Sequence, residues 1–330
     1  MPHESGAMNV LVLSASAKVL LVEAFRAAAA ERGGRVIAAD IAADSAALHL
    51  ADEAVLLPPS HHPSFIPALQ QLCCERQVGL VVPTRDAELP LLAAWRETFA
   101  AAGTTLLVAP PDAIACCQDK RRFAAFCRAS DFPVARVYEP EEMPAVFPVF
   151  VRPAVGAGGV GARRIDSADA WRALGGERSS LLIQDFVAGE EFTVDALFDL
   201  EGRPLQAVAR RRLLVRGGEA QKSRVENMPA LTDLALALGA RLGLVGHAVV
   251  QAFRRADGSL SLIEVNPRFG GASNLSIVAG LDSPRRILDL AAGRREAASP
   301  RPIRYGLGML RYSRDVILEP AALAGIPSYA

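Results

Sequence analysis

Short apolar runs alternate with helix-like segments over the first hundred residues. The apolar runs have the length and the valine, leucine and isoleucine content of buried strands, and the segments between them repeat apolar positions at helical spacing. Strands that alternate with helices predict a parallel, doubly wound sheet. The predicted strands are 9–14, 35–40, 78–83 and 104–110, and the predicted helices are 17–34, a segment around 65–77, and 88–103.

The pattern changes after a helical connector at 110–138. Residues 192–226 contain three strand-like runs separated by the turn pairs Glu201-Gly202 and Gly217-Gly218, which predicts an antiparallel meander. A helix at 231–244 and a hairpin at 247–268 follow. Runs of strands with occasional helices indicate α+β architecture. We therefore predict an α/β half followed by an α+β half.

Composition limits the classes of function. The chain has 330 residues, 51% of them hydrophobic and 22% charged, which argues against disorder. Its 36 basic and 36 acidic residues balance, so we expect neither a nucleic-acid partner nor a membrane surface. The five cysteines include two adjacent pairs, which suit neither a disulfide framework nor a CxxC metal site. We expect a cytoplasmic protein with reduced thiols and no leader peptide, and Met8 is an alternative start.

The first strand is not followed by a dinucleotide-binding loop. Such a loop needs GxGxxG, and the sequence here is SASAKV, which has no glycine. We interpret the first domain as one wall of a cleft rather than as the nucleotide site.

The hairpin at 247–268 brings polar side chains together. If Asp257 and Gly258 form a two-residue loop, Gln251 lies directly opposite Glu264. Side chains alternate between the two faces of a strand, so these two residues share a face.

The same face carries a second amide side chain. Asn266 lies two residues after Glu264, and Arg268 follows immediately. Oxygen ligands around one full negative charge suit Mg²⁺, which keeps several waters and phosphate oxygens. The alternative is an exposed polar face of an edge hairpin, but the apolar neighbours of these residues favour a buried site.

A glycine-rich stretch follows a strand at 147–165, FPVFVRPAVGAGGVGARRI. It is not a Walker A loop, because no Gly-Lys-Ser/Thr follows. Glycines let backbone N–H groups approach phosphate, and Arg152 would add a permanent charge beside them. The alternative is a mobile surface hairpin of small residues. The glycines are Gly156, Gly158, Gly159 and Gly161.

A strand at 181–187 ends shortly before Gly189. Its backbone could bind a nucleobase with Phe186 and Val187 beside it, and Glu191 would reach ribose hydroxyls. The alternative is an ordinary connection between two sheets with solvated acids.

Taken together and in this order, the motifs resemble the ATP-grasp superfamily, in particular the branch related to the large chain of carbamoyl-phosphate synthetase. The resemblance implies an ATP-grasp fold with a pre-ATP-grasp domain at 1–112, an ATP-grasp domain at 113–330, a mobile lid at about 135–187 and a catalytic subdomain at about 188–330. The motifs that carry it are PTRDAELPLL (83–92), DK (119–120), the glycine-rich stretch, IQDFVAGEEFTVD (183–195) and QAFRRADGSLSLIEVNPRFGGAS (251–273).

The resemblance also implies roles for individual residues. Lys120 and Arg152 would contact ATP, and the four glycines would cover its phosphates. Arg268 and Arg152 would be the catalytic residues, because they would neutralise charge on the transferred phosphoryl group. The remaining roles are adenine binding by Gln184, Asp185, Phe186 and Val187, ribose binding by Glu191, and coordination of one or two Mg²⁺ ions, replaceable by Mn²⁺, by Gln251, Glu264 and Asn266. The sequence departs from many relatives in having Arg152 for lysine and Asp185 for glutamate.

The sequence indicates the binding site of the carboxylate substrate less clearly. Arg211, Lys222 and Arg224 lie on strands that we expect to face the cleft, where they could bind a substrate carboxylate, although a solvated charged face is an equal alternative.

The resulting hypothesis is an ATP-dependent carboxylate–amine ligase that forms an acyl phosphate and releases ADP and phosphate. Its partners would be small carboxylic acids and amines, and it could form a homodimer through the first domain. The alternatives are carbamoyl-phosphate-synthetase-like activation of bicarbonate, and a catalytically inactive nucleotide-binding sensor. One ATP-grasp half fits in this length, which favours a stand-alone ligase.

Overall fold

The computed structural model describes residues 7–156, 159–294 and 299–329. Within these ranges the strands form three sheets that follow one another along the chain. The strands are β1 Asn9–Leu13, β2 Val36–Asp40, β3 Glu53–Leu56, β4 Val78–Pro83, β5 Thr105–Leu106, β6 Val137–Tyr138, β7 Val149–Pro153, β8 Arg163–Ile165, β9 Leu181–Asp185, β10 Glu190–Phe198, β11 Pro204–Arg216, β12 Glu219–Glu226, β13 Gly246–Arg254, β14 Leu260–Asn266 and β15 Gly308–Leu310. The α-helices are α1 Val19–Ala30, α2 Phe65–Glu75, α3 Leu89–Ala94, α4 Arg96–Ala101, α5 Pro111–Gln118, α6 Lys120–Ala129, α7 Ala168–Ala173, α8 Pro229–Leu242, α9 Ser273–Ser276, α10 Ser283–Ala291 and α11 Pro320–Ala324.

The first sheet is parallel, in the order β3-β2-β1-β4-β5, with helices on both faces. The doubly wound prediction is therefore confirmed. Two details differ from it. The edge strand β3 is too short for its pattern to be recognised, and the helix predicted at 88–103 is interrupted at Trp95, which has φ −104° and ψ 4°.

The second sheet in the chain has the order β6-β9-β7-β8 and spans residues 137–185. It has a small core of its own, in which Val149, Val151 and Ile183 pack against Trp171 of α7. Main-chain bridges join Val155, just after β7, to Asp119, and Val134, just before β6, to Leu262 of β14.

The third sheet is antiparallel, in the order β14-β13-β10-β11-β12-β15, and contains the predicted meander and hairpin. Helix α8 packs on the face that carries Phe192, Val194 and Phe198. The opposite face, which includes Thr193 and Gln251, is turned toward the first sheet and lines a cleft.

Beyond β15 the chain returns to the first sheet. Leu56 of β3 donates its N–H to the carbonyl of Pro327 at 2.8 Å, and Tyr329 donates back to the carbonyl of Leu56 at 3.0 Å. The edge of β3 is thereby covered by residues far away in sequence. No helix in the described ranges is both long enough and apolar enough to cross a membrane.

Helix α8 approaches β10 so closely that Gly239 has no room for a side chain. A Cβ at this position would lie 2.1 Å from Cζ of the buried Phe198 ring. We expect Gly239→Ala to lower the free energy of unfolding by about 1–3 kcal/mol, because overpacking outweighs the gain in helix propensity. Thermal unfolding measures this, with Asp233→Ala on the exposed side of α8 as the control. An unchanged midpoint would contradict the close packing.

Candidate functional site

A cleft of about 750 Å³ lies where the first domain, the α5–α6 connection and the third sheet meet. The first domain contributes the ends of its strands, including Ser14, Lys18 and Asp86. The connection contributes Lys120, and the glycine loop after β7 contributes Gly156. Of the residues predicted from sequence, Lys120, Gly156, Gln251, Glu264, Asn266 and Arg268 line this cleft.

The predicted oxygen ligands come together. Gln251 pairs with Glu264 across β13 and β14, and Val249 pairs with Asn266. The observed register agrees with the predicted one because two departures from the predicted hairpin, a longer loop and a bulge, cancel each other. The loop has three residues rather than two, since Arg255 N–H bonds to Ser259 O at 2.9 Å, and a bulge that skips Ile263 restores the alignment.

The donor set fits Mg²⁺. Glu264 accepts a hydrogen bond from Arg152 Nη1 at 3.2 Å, and Asn266 Nδ2 lies 3.4 Å from Glu264 Oε1. The described residues hold no group of three or more His, Cys, Asp and Glu side chains suited to a metal. One carboxylate and two amide oxygens instead match an ion that keeps waters and phosphate oxygens in its shell.

Two cations lie beside Glu264. Arg152 is 8% exposed, donates from Nη2 to the carbonyl of Ile263 at 2.8 Å, and leaves Nε without a partner. Lys120 donates from Nζ to the carbonyl of Gly156 at 2.6 Å. Burial lowers the pKa of both groups, and the charge of Glu264 opposes that change. The pair is suited to bind phosphate oxygens.

The sequence also explains how Lys120 is placed. Asp119 has extended backbone geometry and separates α5 from α6, and its carboxylate accepts from Arg121 N at 2.8 Å as the N-cap of α6. Lys120 is therefore the first residue of α6, next to the strand that enters the glycine loop.

Arg268 contacts the first domain. Its Nε donates to Asp86 Oδ1 at 2.9 Å and its Nη2 donates to Asp86 Oδ2, so the pair is bidentate. Nη2 also lies 3.3 Å from Asn266 Oδ1. Asp86 has no role predicted from the sequence, although it lies in PTRDAELPLL (83–92), three residues after the end of β4.

The described part of the glycine loop has the backbone that glycine permits. Gly156, Gly159 and Gly161 have φ of 134°, 70° and 75°. No atom lies within 4 Å of a Cβ added at Gly156 or Gly159. Gly158 lies outside the described residues.

The predicted adenine hinge lies on the second sheet. Gln184 and Asp185 end β9, and Asp185 accepts a hydrogen bond from the Tyr138 hydroxyl at 2.7 Å, which raises the pKa of Tyr138. Phe186 is 37% exposed and has the Arg164 guanidinium 4.9 Å from its ring centroid. These residues and Val187 are not part of the 750 Å³ cleft lining, so adenine binding stays a prediction.

Glu191 is paired. Its Oε1 accepts from Arg212 Nη1 at 2.6 Å. Burial raises the pKa of Glu191, and the Arg212 charge acts in the opposite direction. Its proposed contact with ribose is not tested by this arrangement.

The expectation that Arg211 and Arg224 face the cleft is wrong. Arg210 pairs with Thr193, which lies on the same face of the sheet as Gln251. The adjacent Arg211 therefore projects from the opposite face, where it forms a 2.6 Å ion pair with Glu190. Arg224 pairs with Arg211 across the strands and bonds Glu226. Lys222 is exposed and does not line the cleft. The register places Arg210 and Arg212 there instead.

A buried polar network holds Arg210. Its Nε donates to Asp195 Oδ2 at 2.6 Å, and Asp195 also accepts from the hydroxyls of Ser273 and Ser276 and contacts His247 Nε2 at 3.0 Å. Burial alone would raise the pKa of Asp195, but Arg210 and His247 hold that pKa well below its usual range. Arg210 Nη1 has no partner in the described chain.

Two family models match the chain. One, described as "ATP-grasp in the biosynthetic pathway with Ter operon", matches residues 177–313, and the other, "PylC-like, N-terminal domain", matches residues 10–107. A search of curated proteins finds no significant match.

Solved structures share the fold. The biotin carboxylase domain of 2-oxoglutarate carboxylase from Hydrogenobacter thermophilus, in complex with MgADP and bicarbonate, has TM-score 0.72 and 16% identity over 91% of this chain and 73% of that one. L-amino acid ligase from Bacillus licheniformis has TM-score 0.67 and 18% identity over 90% and 77%. Pyruvate carboxylase from Rhizobium etli has TM-score 0.70 and 18% identity over 91% of this chain, which spans only 30% of that protein.

Proposed function

Since the chain belongs to the ATP-grasp superfamily, we propose that it is an ATP- and Mg²⁺-dependent ligase that joins a small carboxylic acid to an amine. The observation that carries this proposal is one cleft whose lining brings Gln251, Glu264 and Asn266 together with Lys120 and Arg268. Arg152 does not line the cleft but donates to Glu264 at 3.2 Å. In this assignment Lys120 and Arg152 hold ATP phosphates, and the oxygen trio holds Mg²⁺. When bound, Mg²⁺ would neutralise charge on the transferred phosphoryl group.

The reaction needs no protein nucleophile. A carboxylate oxygen of the acid attacks the terminal phosphorus of ATP, and ADP leaves. The amine nitrogen then attacks the acyl carbon, the bond to phosphate breaks, phosphate leaves, and the nitrogen loses a proton. Positioning and charge stabilisation account for the catalysis. In this assignment Arg268, which lines the cleft, stabilises charge on the transferred group.

Arg210 replaces Arg211 in our assignment of the acid's binding site. It lines the cleft, is 2% exposed, and has an unpartnered Nη1, while Asp195 fixes its Nε. Lys18 lines the same cleft. Its pKa is lowered mainly by burial and further by the nearby charge of Arg268. In the described part of the chain Lys18 has no ion-pair partner, so this side of the cleft favours an anionic substrate.

Adjacent arginines on opposite faces provide a matched test. We expect Arg210→Lys to raise KM for the carboxylic acid about tenfold or more, because a charge-assisted hydrogen bond is lost while the partner charge of Asp195 stays balanced. Arg211→Lys should leave KM unchanged, because Arg211 projects away from the cleft. Steady-state kinetics on both variants measure the difference, and equal effects would contradict the assignment.

The proposed reaction is tested by incubating the protein with ATP, Mg²⁺ and a panel of carboxylic acids. Hydroxylamine traps an acyl phosphate as a hydroxamate, and ADP and phosphate should appear in equal amounts. Release of AMP and pyrophosphate would exclude an acyl phosphate. ATP turnover stimulated by bicarbonate alone would favour bicarbonate activation instead.

A further inference from the structure

A second cavity of about 430 Å³ adjoins the cleft. It lies at the carboxyl ends of β1, β2 and β4, beside the point where the strand order reverses between β1 and β4. Open α/β sheets bind ligands at this position. Ser14, Arg85 and Ala87 line both cavities, so the second opens directly onto the first.

Glu88 is the unexplained group of this cavity. It ends a single 3₁₀ turn after β4 and is only 3% exposed. Its Oε1 accepts a hydrogen bond from the Ser14 hydroxyl, but Oε2 has no partner in the described chain. A buried carboxylate oxygen without a hydrogen bond is costly, and burial raises the pKa of Glu88. A cationic group at Oε2 would offset both effects.

The other carboxylate of the cavity differs. Asp40 Oδ1 accepts from Ile41 N at 2.8 Å, and Oδ2 accepts from Ser16 N at 2.6 Å and from Ser45 Oγ at 2.7 Å. Both oxygens of Asp40 are therefore hydrogen-bonded, and Asp40 holds the loop after β1. Of these two carboxylates, only Glu88 has an oxygen without a hydrogen-bond partner in the described chain.

Arg85 supplies the opposite charge. Its side chain is exposed at the border of the two cavities, and within the described residues it makes no ion pair or hydrogen bond. Leu13, Leu57 and Phe65 form an apolar wall in the same cavity. An unpartnered carboxylate oxygen, an unpaired guanidinium and an apolar wall are the features that an amino acid with an apolar side chain would match.

We propose that the second cavity binds the amine substrate of the ligase as an apolar amino acid. Its ammonium group lies on Glu88 Oε2, its carboxylate on Arg85, and its side chain against Leu57 and Phe65. The position next to the cleft places the nitrogen beside the site of the acyl phosphate. The assignment of this ligand as the nucleophile rests on the proposed function, whereas the binding site itself does not.

Binding of L-leucine to the full chain, followed by calorimetry, tests the site. Wild-type protein should bind L-leucine, and Glu88→Gln, which keeps the shape and the Ser14 contact, should weaken binding about ten- to a hundredfold. Isoamylamine, which lacks the carboxylate, should depend on Glu88 but not on Arg85. Glu97→Gln, on the exposed side of α4, is the control. Failure of wild type to bind L-leucine, or equal binding by Glu88→Gln, overturns the proposal.

A second variant covers the case in which Glu88→Gln does not fold. Ile41 lines the cavity and is 54% exposed, so Ile41→Trp narrows the cavity without disturbing a buried position. It should weaken L-leucine binding and spare glycine, and equal effects on both would overturn the apolar subsite.

Hydroxylamine separates this proposal from the proposed function, because so small a nucleophile needs no subsite. If Glu88→Gln forms the hydroxamate but no longer binds L-leucine, both the ligase reaction and the amino-acid subsite are supported. Hydroxamate formation with unaltered L-leucine binding overturns the subsite alone. Glu88-dependent L-leucine binding without hydroxamate from any acid overturns the ligase reaction and leaves the subsite standing.

Discussion

Replacing Glu264 with alanine is expected to lower kcat by about 10³-fold or more. Glu264 is the only full negative charge in the oxygen trio, and a metal ion contributes several kcal/mol of transition-state stabilisation at 1.36 kcal/mol per tenfold. The variant also leaves Arg152 without its carboxylate partner, so ATP binding and stability should both change.

The measurement is the rate of ADP release at saturating ATP over a series of Mg²⁺ concentrations. Glu264→Gln keeps the side-chain shape and should need more Mg²⁺ for its remaining activity. Glu226→Gln, on the opposite face of the same sheet, is the control. Full activity of Glu264→Ala at ordinary Mg²⁺ would refute the metal assignment.

Replacing Arg268 with alanine should lower kcat by about 10³-fold, with a smaller change in the KM of ATP. A cation aimed at a transferred phosphoryl group acts mainly in the transition state, and such an arginine contributes about 10³–10⁵ in rate. In the present structure, however, Arg268 is held by Asp86, so a purely structural role must be separated from a chemical one.

The Asp86→Asn variant distinguishes the structural role of Arg268 from its chemical role. It weakens the bidentate contact and leaves the Arg268 charge in the cleft, so kcat should fall far less than in Arg268→Ala. If the two variants lose activity equally while thermal unfolding shifts equally, Arg268 acts by docking the first domain. Activity in Arg268→Ala close to wild type would reject both roles.

Local pattern predicted the elements well because each sheet buries at least one face. The parallel strands appear as continuous apolar runs and the meander appears through its glycine turns, so both are visible within short windows. The trio of Gln251, Glu264 and Asn266 followed from hairpin register, although a loop one residue longer and a bulge at Ile263 had to cancel. A bulge leaves no mark in a periodicity argument.

The wrong assignment of Arg211 shows that an error of one residue along a strand is enough to place a side chain on the wrong face of the sheet. In the run of three arginines at 210–212 nothing local states which face each one takes, and a one-residue difference moves a side chain from cleft to opposite face. The contacts of Asp86 with Arg268 and of Asp195 with Arg210 are long-range pairs created by packing. Glu88 required the cavity itself to be seen, because its sequence context is that of an ordinary helix start.

The return of residues 327–329 to β3 has a consequence for folding order. All five strands of the first sheet lie before residue 110, yet its edge is covered by a segment synthesised more than 200 residues later. Such a pairing has high contact order and forms late. Until it does, β3 presents an open edge that can pair with another chain, so the nascent protein is most exposed to aggregation on the side that the finished fold covers.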